Sequence, residues 1–362
     1  MKKETTVALH LHDMIQGMKA EEVKLAARTI GFSLPSPARK EQMAKRLESV
    51  LTQDADAVLD GLTVYELQLV CRILDEGGRA NIPYRAEKTF SLCTMKLIRD
   101  EVVEAAGDVL VLQLTLPTEL ADAFRPLASD MLATKVADGI AEVEQAAAGM
   151  LAVCGTMPFD SLITELSRLF PEHSEGWLRM NMKRKYLFKG HSPREASHIP
   201  FAATPFLDEA ARQIFFLRQI EEQQEQYRQA DKDEAMRMGA MPQPELMTKG
   251  AKKLLQVYTD VYGEAEGKWR LHDAWIQAQH QFPSSMIESI LQEVCETEEE
   301  ISEELVSTIR QFLSYIPRWS MYGYSLADRA KAAGVSNDKL AERLEKDFFH
   351  KGLEIVIDKY DV

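Results

Sequence analysis

Amphipathic stretches of helical length, each closed by glycine or proline, constrain the fold of this chain more than any other feature of its sequence. Near the amino terminus, Val23, Ala26 and Ala27 recur at the spacing of one helix face, and Gly31 ends the pattern. Similar stretches follow along most of the chain, and the strand signals between them are short. The sequence therefore predicts a mainly α fold with small β-hairpins, divided into tandem modules.

Residues 1–55 are predicted to form a helix, a proline-punctuated extension and a second, basic helix that starts at Ser36 or Pro37. This pattern resembles the helix-extension-helix modules of the SAP and Rho-N type. The matching residues are the Leu25–Gly31 stretch, Lys40, and the face formed by Met43 and Leu47. The resemblance implies a nucleic-acid-binding or docking element, with Lys40 as a candidate contact to nucleic acid.

Residues 56–128 are predicted to form two helices and a β-hairpin. The first helix ends at Gly77–Gly78, the second covers residues 84–97, and residues 102–114 form two strands around an Ala-Gly-Asp turn. The order helix, helix, hairpin resembles a winged helix-turn-helix. Because DNA phosphates would repel the acidic residues of the hairpin, we interpret this winged-helix-like module as structural or protein-binding. These acidic residues are Glu101, Glu104 and Asp108.

Residues 129–235 are predicted to form a second winged-helix-like module, which ends in a long charged helix over residues 207–237. The helix loses its apolar periodicity after about Ile220, and the Gln/Glu-rich part that follows is interpreted as a solvated helix or a linker. One helix begins at Pro158, a third covers residues 175–185, and YLFKG and HIPFAATPF form two strands. The third helix and the strand after it contain the strongest basic cluster of the chain. The cluster consists of Arg179, Lys183, Arg184, Lys185 and Lys189, with Tyr186 and Phe188 between them.

Residues 246–362 are predicted to form a helical C-terminal domain, which follows a linker at residues 236–245. Its terminal segment LEIVID is a candidate edge strand. Residues 314–330 have the densest aromatic content of the chain, and exposed aromatic side chains there are candidate contacts to a partner protein. These candidates are Trp319, Tyr322 and Tyr324.

The module order resembles a group of uncharacterised bacterial proteins. In that group, SAP- or Rho-N-like and winged-helix-like units precede a turn of the kind formed here by Pro317, Trp319 and Gly323. Some members of the group end in a cysteine-rich SEC-C tail that holds a metal ion, and this chain has no such tail. The resemblance therefore implies a binding protein and carries no metal site or enzymatic activity to this chain.

No catalytic, cofactor or metal motif is recognisable. The four cysteines lie far apart without CxxC spacing, and no HExxH, GxSxG, Walker A or GxGxxG pattern occurs. Thiols of this kind are typical of a reducing compartment, and no apolar run is long enough to span a bilayer. We therefore expect a cytoplasmic, non-enzymatic protein without cofactor, metal or membrane contact.

Two binding functions remain as alternatives. The basic cluster at residues 179–189 favours nucleic-acid binding, with a role related to transcription. The net charge of −14 argues against that interpretation, because it repels nucleic acid at long range. The same charge favours a protein-interaction adaptor, in which the winged-helix-like modules dock a basic partner protein.

Overall fold

The computed structural model describes residues 8–32, 39–105, 109–191, 199–221, 226–281, 283–297 and 301–345. These residues are mainly helical and include small antiparallel strand pairs, which confirms the predicted fold class. The chain forms two compact units. The first consists of residues 1–148, 157–213 and 240–242, and the second of residues 149–156, 214–239 and 243–362. The predicted four-module division and the linker at residues 236–245 stay predictions.

The helices are numbered in chain order. They are α1 (Leu11–Gly17), α2 (Ala20–Ile30), α3 (Lys40–Gln53), α4 (Ala55–Asp60), α5 (Val64–Asp75), α6 (Ser91–Thr94), α7 (Thr118–Phe124), α8 (Ala128–Ala137), α9 (Ile140–Cys154), α10 (Phe159–Leu169), α11 (Glu175–Met182), α12 (Glu209–Glu221), α13 (Lys232–Met238), α14 (Ala251–Tyr262), α15 (Glu264–Ala278), α16 (Pro283–Val294), α17 (Glu303–Tyr315) and α18 (Leu326–Ala333). A further helical stretch covers residues 337–345. The strands are β1 (Arg79–Pro83), β2 (Arg99–Ala105), β3 (Val109–Thr115), β4 (Thr156–Pro158) and β5 (Phe201–Ala203).

The amino-terminal helices follow the predicted pattern. Helix α2 buries Val23, Ala26 and Ala27 and ends at Gly31, whose φ of 97° places it in the left-handed region that glycine favours. Helix α3 begins at Lys40, and the predicted start at residues 36–37 lies outside the described residues. The apolar face of α3 is buried, as the spacing predicts.

A three-stranded sheet follows α5, with strand order β1-β3-β2 and antiparallel pairing throughout. The hairpin predicted for residues 102–114 is confirmed, with Val102 opposite Leu112, and its turn lies outside the described residues. Strand β1 was not predicted from the sequence. One face of the sheet is buried through residues of β1 and β3, namely Ala80, Ile82, Leu112 and Leu114.

The single helix predicted for residues 84–97 is wrong. A 3-10 turn at Glu87–Thr89 and the one-turn helix α6 occupy this segment. The backbone leaves the right-handed region at Arg85 and Lys96, whose φ values are 72° and 56°, so a helix cannot continue at either end. The apolar residues that suggested a helix are nevertheless buried, because the irregular segment fills the space beside the sheet.

A buried carboxylate joins this segment to α5. Thr63 caps α5, and Glu66 accepts hydrogen bonds from the Thr63 backbone N–H at 2.8 Å and from the Ser91 N–H at 2.7 Å. Burial raises the pKa of Glu66, while these hydrogen bonds act in the opposite direction. Glu66 therefore ties the first turn of α6 to the first turn of α5.

The segment after β4 follows the prediction in part. Helix α10 begins after Pro158, and α11 begins at Glu175 as expected but ends at Met182, before the basic run. Tyr186–Phe188 is a 3-10 turn and not the predicted strand. Of the second predicted strand, Phe201–Ala203 is β5, which pairs with β4 in a two-stranded sheet.

The second unit is helical around a buried aromatic cluster. The rings of Trp275 and Trp319 lie 5.7 Å apart, and the ring of Phe215 lies 5.9 Å from Trp319, both in edge-on geometry. Helices α14 to α18 agree with the helical character predicted for residues 246–362. The segment LEIVID lies outside the described residues.

The long helix predicted for residues 207–237 is wrong. Helix α12 ends at Glu221, residues 226–231 are not helical, and α13 starts after Asp231, whose carboxylate accepts the N–H of Glu234. In the non-helical stretch, the Arg228 N–H donates to the Tyr322 carbonyl at 2.9 Å. Tertiary contacts within the second unit thus replace the helical hydrogen bonds that the charged sequence favours.

Candidate functional site

Helix α11 and the two residues that follow it carry the exposed members of the predicted basic cluster. Arg179 forms ion pairs with Asp160 at 2.5 Å and with Glu175 at 2.7 Å, so two carboxylates surround its charge. Arg184 is exposed and lies 3.4 Å from Asp60. Lys183 is also exposed, and its side chain forms no hydrogen bond or ion pair with the described part of the chain. The free positive charge of this surface is therefore small.

Lys185 lies in the core of the first unit. Its side chain is 2% exposed, and its Nζ is 2.8 Å from Glu144 Oε1. The same ammonium group donates to the carbonyls of Asp60 and Leu62, at 3.2 Å each. Lys135 donates to these two carbonyls as well, at 2.7 and 3.0 Å. Two lysines thus converge on the carboxyl-terminal end of α4.

The environment of this lysine pair lowers the pKa of Lys135 to about 8. Burial is the largest cause, and the neighbouring positive charge of Lys185 is the next. The carboxylates of Asp60 and Glu144 act in the opposite direction but do not outweigh burial. The remaining Glu144 oxygen accepts the Val64 N–H at 2.5 Å, so the first turn of α5 belongs to the same network.

Lys40 and Lys189 also bind carbonyls at helix ends. Lys40 Nζ donates to the Gln16 carbonyl in the last turn of α1 at 2.6 Å. Lys189 Nζ donates to the carbonyls of Arg28 and Thr29 in the last turn of α2, at 3.0 and 2.8 Å. The final carbonyls of a helix have no partner within the helix and carry partial negative charge, so a lysine stabilises them. These lysines therefore have an internal role.

The aromatic residues of the basic run are buried. Tyr186 and Phe188 are 6% and 4% exposed. The Tyr186 ring lies against Gly61, where a Cβ atom would fall 2.1 Å from the ring carbon Cζ. Gly61 is thus required for a close approach between α4 and the 3-10 turn. Neither ring is accessible for stacking on a nucleobase.

An open recess of about 380 Å³ lies beside the exposed end of α11. Its lining consists of Asp60, Met180, Asn181, Lys183 and Arg184. Met180 is 67% exposed, and Asp60 places a carboxylate next to the two basic residues. The recess therefore has mixed charge and one exposed apolar side chain.

The aromatic contacts predicted for the second unit are core residues. Trp319 is fully buried, and its indole N–H donates to the Ala152 carbonyl at 2.7 Å. Tyr322 is 3% exposed, whereas Tyr324 is half-buried, with the Arg329 guanidinium 4.4 Å from its ring centre. The expectation that Trp319 and Tyr322 are exposed is therefore wrong, because they fill the apolar interior of their unit.

Gly155 makes the position of Trp319 possible. Its φ of 80° lies in the left-handed region, and a Cβ atom there would fall 2.7 Å from Trp319 Cγ. The sequence pattern does not indicate this role of Gly155, because Trp319 is distant from it in the chain.

The free edge of β2 is a surface that the sequence did not identify. In the strand order β1-β3-β2, β2 has one neighbour among the described strands, and every second residue of β2 directs its N–H and C=O away from the sheet. Among the described residues, none bonds to these outward groups. The other edge is closed, since Pro83 lacks an N–H and Arg72 donates to the Asn81 carbonyl at 2.6 Å.

Apolar and acidic side chains flank this edge. Val102 and Leu110 are 53% and 50% exposed, although the register places both on the same face as the buried Leu112. The hairpin therefore extends the apolar face of the sheet beyond the core that covers its base. Exposed acidic residues lie along β2, with Arg99 as the single basic residue of the strand. They are Asp100, Glu101 and Glu104.

Neither metal sites nor membrane spans were found in the described part of the chain. No group of three or more His, Cys, Asp or Glu side chains there is arranged to hold a metal ion. No helix within the described ranges combines the length and apolar character needed to cross a bilayer. Comparison of the chain with protein-family models, with curated proteins and with solved structures finds no match.

Proposed function

We propose that the chain is a non-enzymatic adaptor whose first unit binds a basic, extended segment of a partner protein along the free edge of β2. The observation that carries this proposal is the open edge itself, flanked by the exposed side chains of Val102 and Leu110. A strand added to such an edge gains main-chain hydrogen bonds, and alternate side chains of the added strand contact each face.

The negative charge along β2 favours a positively charged partner segment. Asp100, Glu101 and Glu104 line the edge against one arginine, and the whole chain carries a net charge of −14. An incoming segment in which lysine or arginine alternates with apolar residues would place its cations on the face of Glu101 and its apolar side chains on the face of Val102. Asp100 and Glu104 lie on the face of Val102, and their carboxylates add to the negative field that attracts the segment. An acidic segment would be repelled at the same place.

Binding of a designed peptide tests the proposal. The probe is a fluorescent peptide of about seven residues in which lysine and valine alternate, a length typical of one strand. We expect the anisotropy of this peptide to rise on titration with the full chain. A matched peptide with glutamate in place of lysine should not bind.

Variants with matched controls locate the site. We expect Val102→Asp to weaken binding, because it removes the apolar contact at the edge, and Val136→Asp, at an equally exposed valine of α8, to have no effect. Likewise, Glu101→Gln with Glu104→Gln should weaken binding, whereas Glu41→Gln with Glu172→Gln should not. Equal affinities for both members of each pair would contradict the proposal.

A second candidate function is nucleic-acid binding through Lys183 and Arg184, which are exposed beside the open recess at the end of α11. The test compares the wild type with Lys183→Ala/Arg184→Ala on duplex and single-stranded nucleic acid at two salt concentrations. This function predicts binding tighter than ~100 µM that weakens with salt and with the double variant. Weaker binding by the wild type would exclude it. Lys185 is left unchanged because its role is internal.

A further inference from the structure

A cavity of about 260 Å³ lies in the first unit and is lined by both apolar and positively charged residues. It is bordered by α2, by the segment around the 3-10 turn at Tyr186–Phe188 and by the start of α12. Part of the lining is apolar and is formed by Leu25, Met95, Leu187 and Leu207. Among the described residues, the charged part of the lining contains more positive than negative side chains.

In the described part of the chain, three cationic side chains line the cavity against one carboxylate. The cations are Lys88, Lys189 and Arg212, and the carboxylate belongs to Asp208. Asp208 Oδ1 accepts the Ala211 N–H at 2.8 Å at the start of α12, so a helix end already stabilises its charge. Lys88 is exposed at the rim and makes no hydrogen bond or ion pair with the described part of the chain.

His191 also lines the cavity and lies in a region of positive electrostatic potential. It is 7% exposed, and its Nε2 lies 3.2 Å from the Thr29 hydroxyl. The pKa of His191 is lowered to about 4, first by burial and then by the positive charges of Arg28, Lys189 and Arg212. The same charges that disfavour a protonated imidazole favour a bound anion.

Two of the cationic groups are held in place before any ligand arrives. Arg212 donates to the carbonyls of Leu207 and Lys189, at 2.9 and 3.0 Å, and Lys189 donates to the last turn of α2. Fixed positive groups beside an apolar wall lose little conformational entropy when a ligand binds.

We propose that this cavity binds a small organic carboxylate, with its aliphatic part against Leu25, Met95 and Leu187 and its charged end toward Lys88, Lys189 and Arg212. Pockets for drug-sized ligands have volumes of roughly 300 to 1,000 Å³, so this cavity suits a smaller molecule. The site is separate from the β2 edge, and either proposal stands without the other.

Calorimetric titration of the full chain with hexanoate tests the proposal. Hexan-1-ol and hexylammonium serve as controls of the same length without the negative charge. We expect hexanoate to bind at least roughly tenfold more tightly than either control, which corresponds to one ordinary charge-assisted hydrogen bond. Equal affinity of the three compounds, or no binding of hexanoate, would overturn the proposal.

The NMR signals of the His191 imidazole test independently whether hexanoate binds in this cavity. In an NMR titration at neutral pH, where hexanoate is ionised, saturating hexanoate should shift the signals of the His191 imidazole, because the bound carboxylate lies beside the ring. Binding that leaves the signals of His191 unchanged would place hexanoate elsewhere and overturn the proposal.

Two variants complete the test. Lys88→Gln should weaken hexanoate binding roughly two- to fivefold, because it removes an exposed charge at the rim, and the control Lys45→Gln on α3 should leave the affinity unchanged. Leu25→Trp should abolish binding by filling the apolar part of the cavity. Wild-type affinity in both Lys88→Gln and Leu25→Trp would overturn the proposal.

Discussion

Lysines in a basic sequence pattern can stabilise the interior of a protein instead of binding a ligand at its surface. Three lysines of this chain do so, namely Lys185, Lys189 and Lys40. Each ammonium group binds carbonyls at the end of a helix: α4, α2 and α1, respectively. Helices α1 and α4 have no basic residue of their own in the last turn, so lysines from elsewhere in the chain supply the charge. Local spacing predicts that such lysines lie near one another, but their partners are distant in sequence.

Replacing Lys185 tests its internal role. Lys185→Met leaves Glu144 as a buried carboxylate without its 2.8 Å ion-pair partner, so we expect the free energy of unfolding to fall by about 3 to 5 kcal/mol. The second replacement in Lys185→Met/Glu144→Gln removes that charge and should restore much of the loss. Chemical denaturation measures both. A loss below about 1 kcal/mol in the single variant would show that the pair does not stabilise the unit.

The lowered pKa of Lys135 predicts that the free energy of unfolding depends on pH. Its pKa is about 8 in the folded chain, against an ordinary value of 10.5, so between these values the unfolded chain binds more protons than the folded chain. The contribution of Lys135 to stability therefore rises as pH increases from about 8 to 10.5 and is constant below that window.

The reference for this measurement is Lys135→Met, because subtracting its unfolding free energy cancels the other titrating groups. We expect the difference between the wild type and this variant to change in favour of the wild type as pH increases through the window. A difference that stays constant, or that changes in the opposite direction, would contradict the position of Lys135 beside Lys185.

At the scale of elements, glycine and proline signals predicted the structure where the determinant is local. Gly31, Gly77 and Pro158 mark helix boundaries that the structure confirms. The prediction failed for residues 84–97 and 207–237, where buried tertiary contacts replace helical hydrogen bonds. In the candidate sites, the sequence identified the charged residues but not their partners. It also did not predict β1, which covers the outer edge of β3 and leaves β2 as the free edge among the described strands.

The contact between the end of α4 and the 3-10 turn at Tyr186–Phe188 gives a test at this scale. Gly61 has a right-handed backbone, so Gly61→Ala introduces no backbone strain, and its effect comes from the clash with the Tyr186 ring. We expect a loss of about 1 to 3 kcal/mol in unfolding free energy. Gly17→Ala is the control, because no atom lies within 4 Å of a Cβ there. Equal effects of the two substitutions would contradict the close packing of Tyr186 on Gly61.

At the scale of the whole molecule, the net charge of −14 and the acidic edge of β2 favour the same class of partner. A negative field attracts a basic segment at long range, and the edge then offers backbone groups that only an extended segment can pair with. This combination favours the proposed adaptor for a basic protein over a nucleic-acid-binding protein, whose phosphate ligand the same field would repel.

Hydrogen exchange of the β2 amides tests this account most directly. On addition of the alternating lysine-valine peptide to the full chain, we predict slower exchange of every second amide of β2, because these N–H groups become donors to the added strand, with no change in β1. Binding that leaves the exchange of β2 unchanged would contradict the proposed docking of a basic segment at this edge.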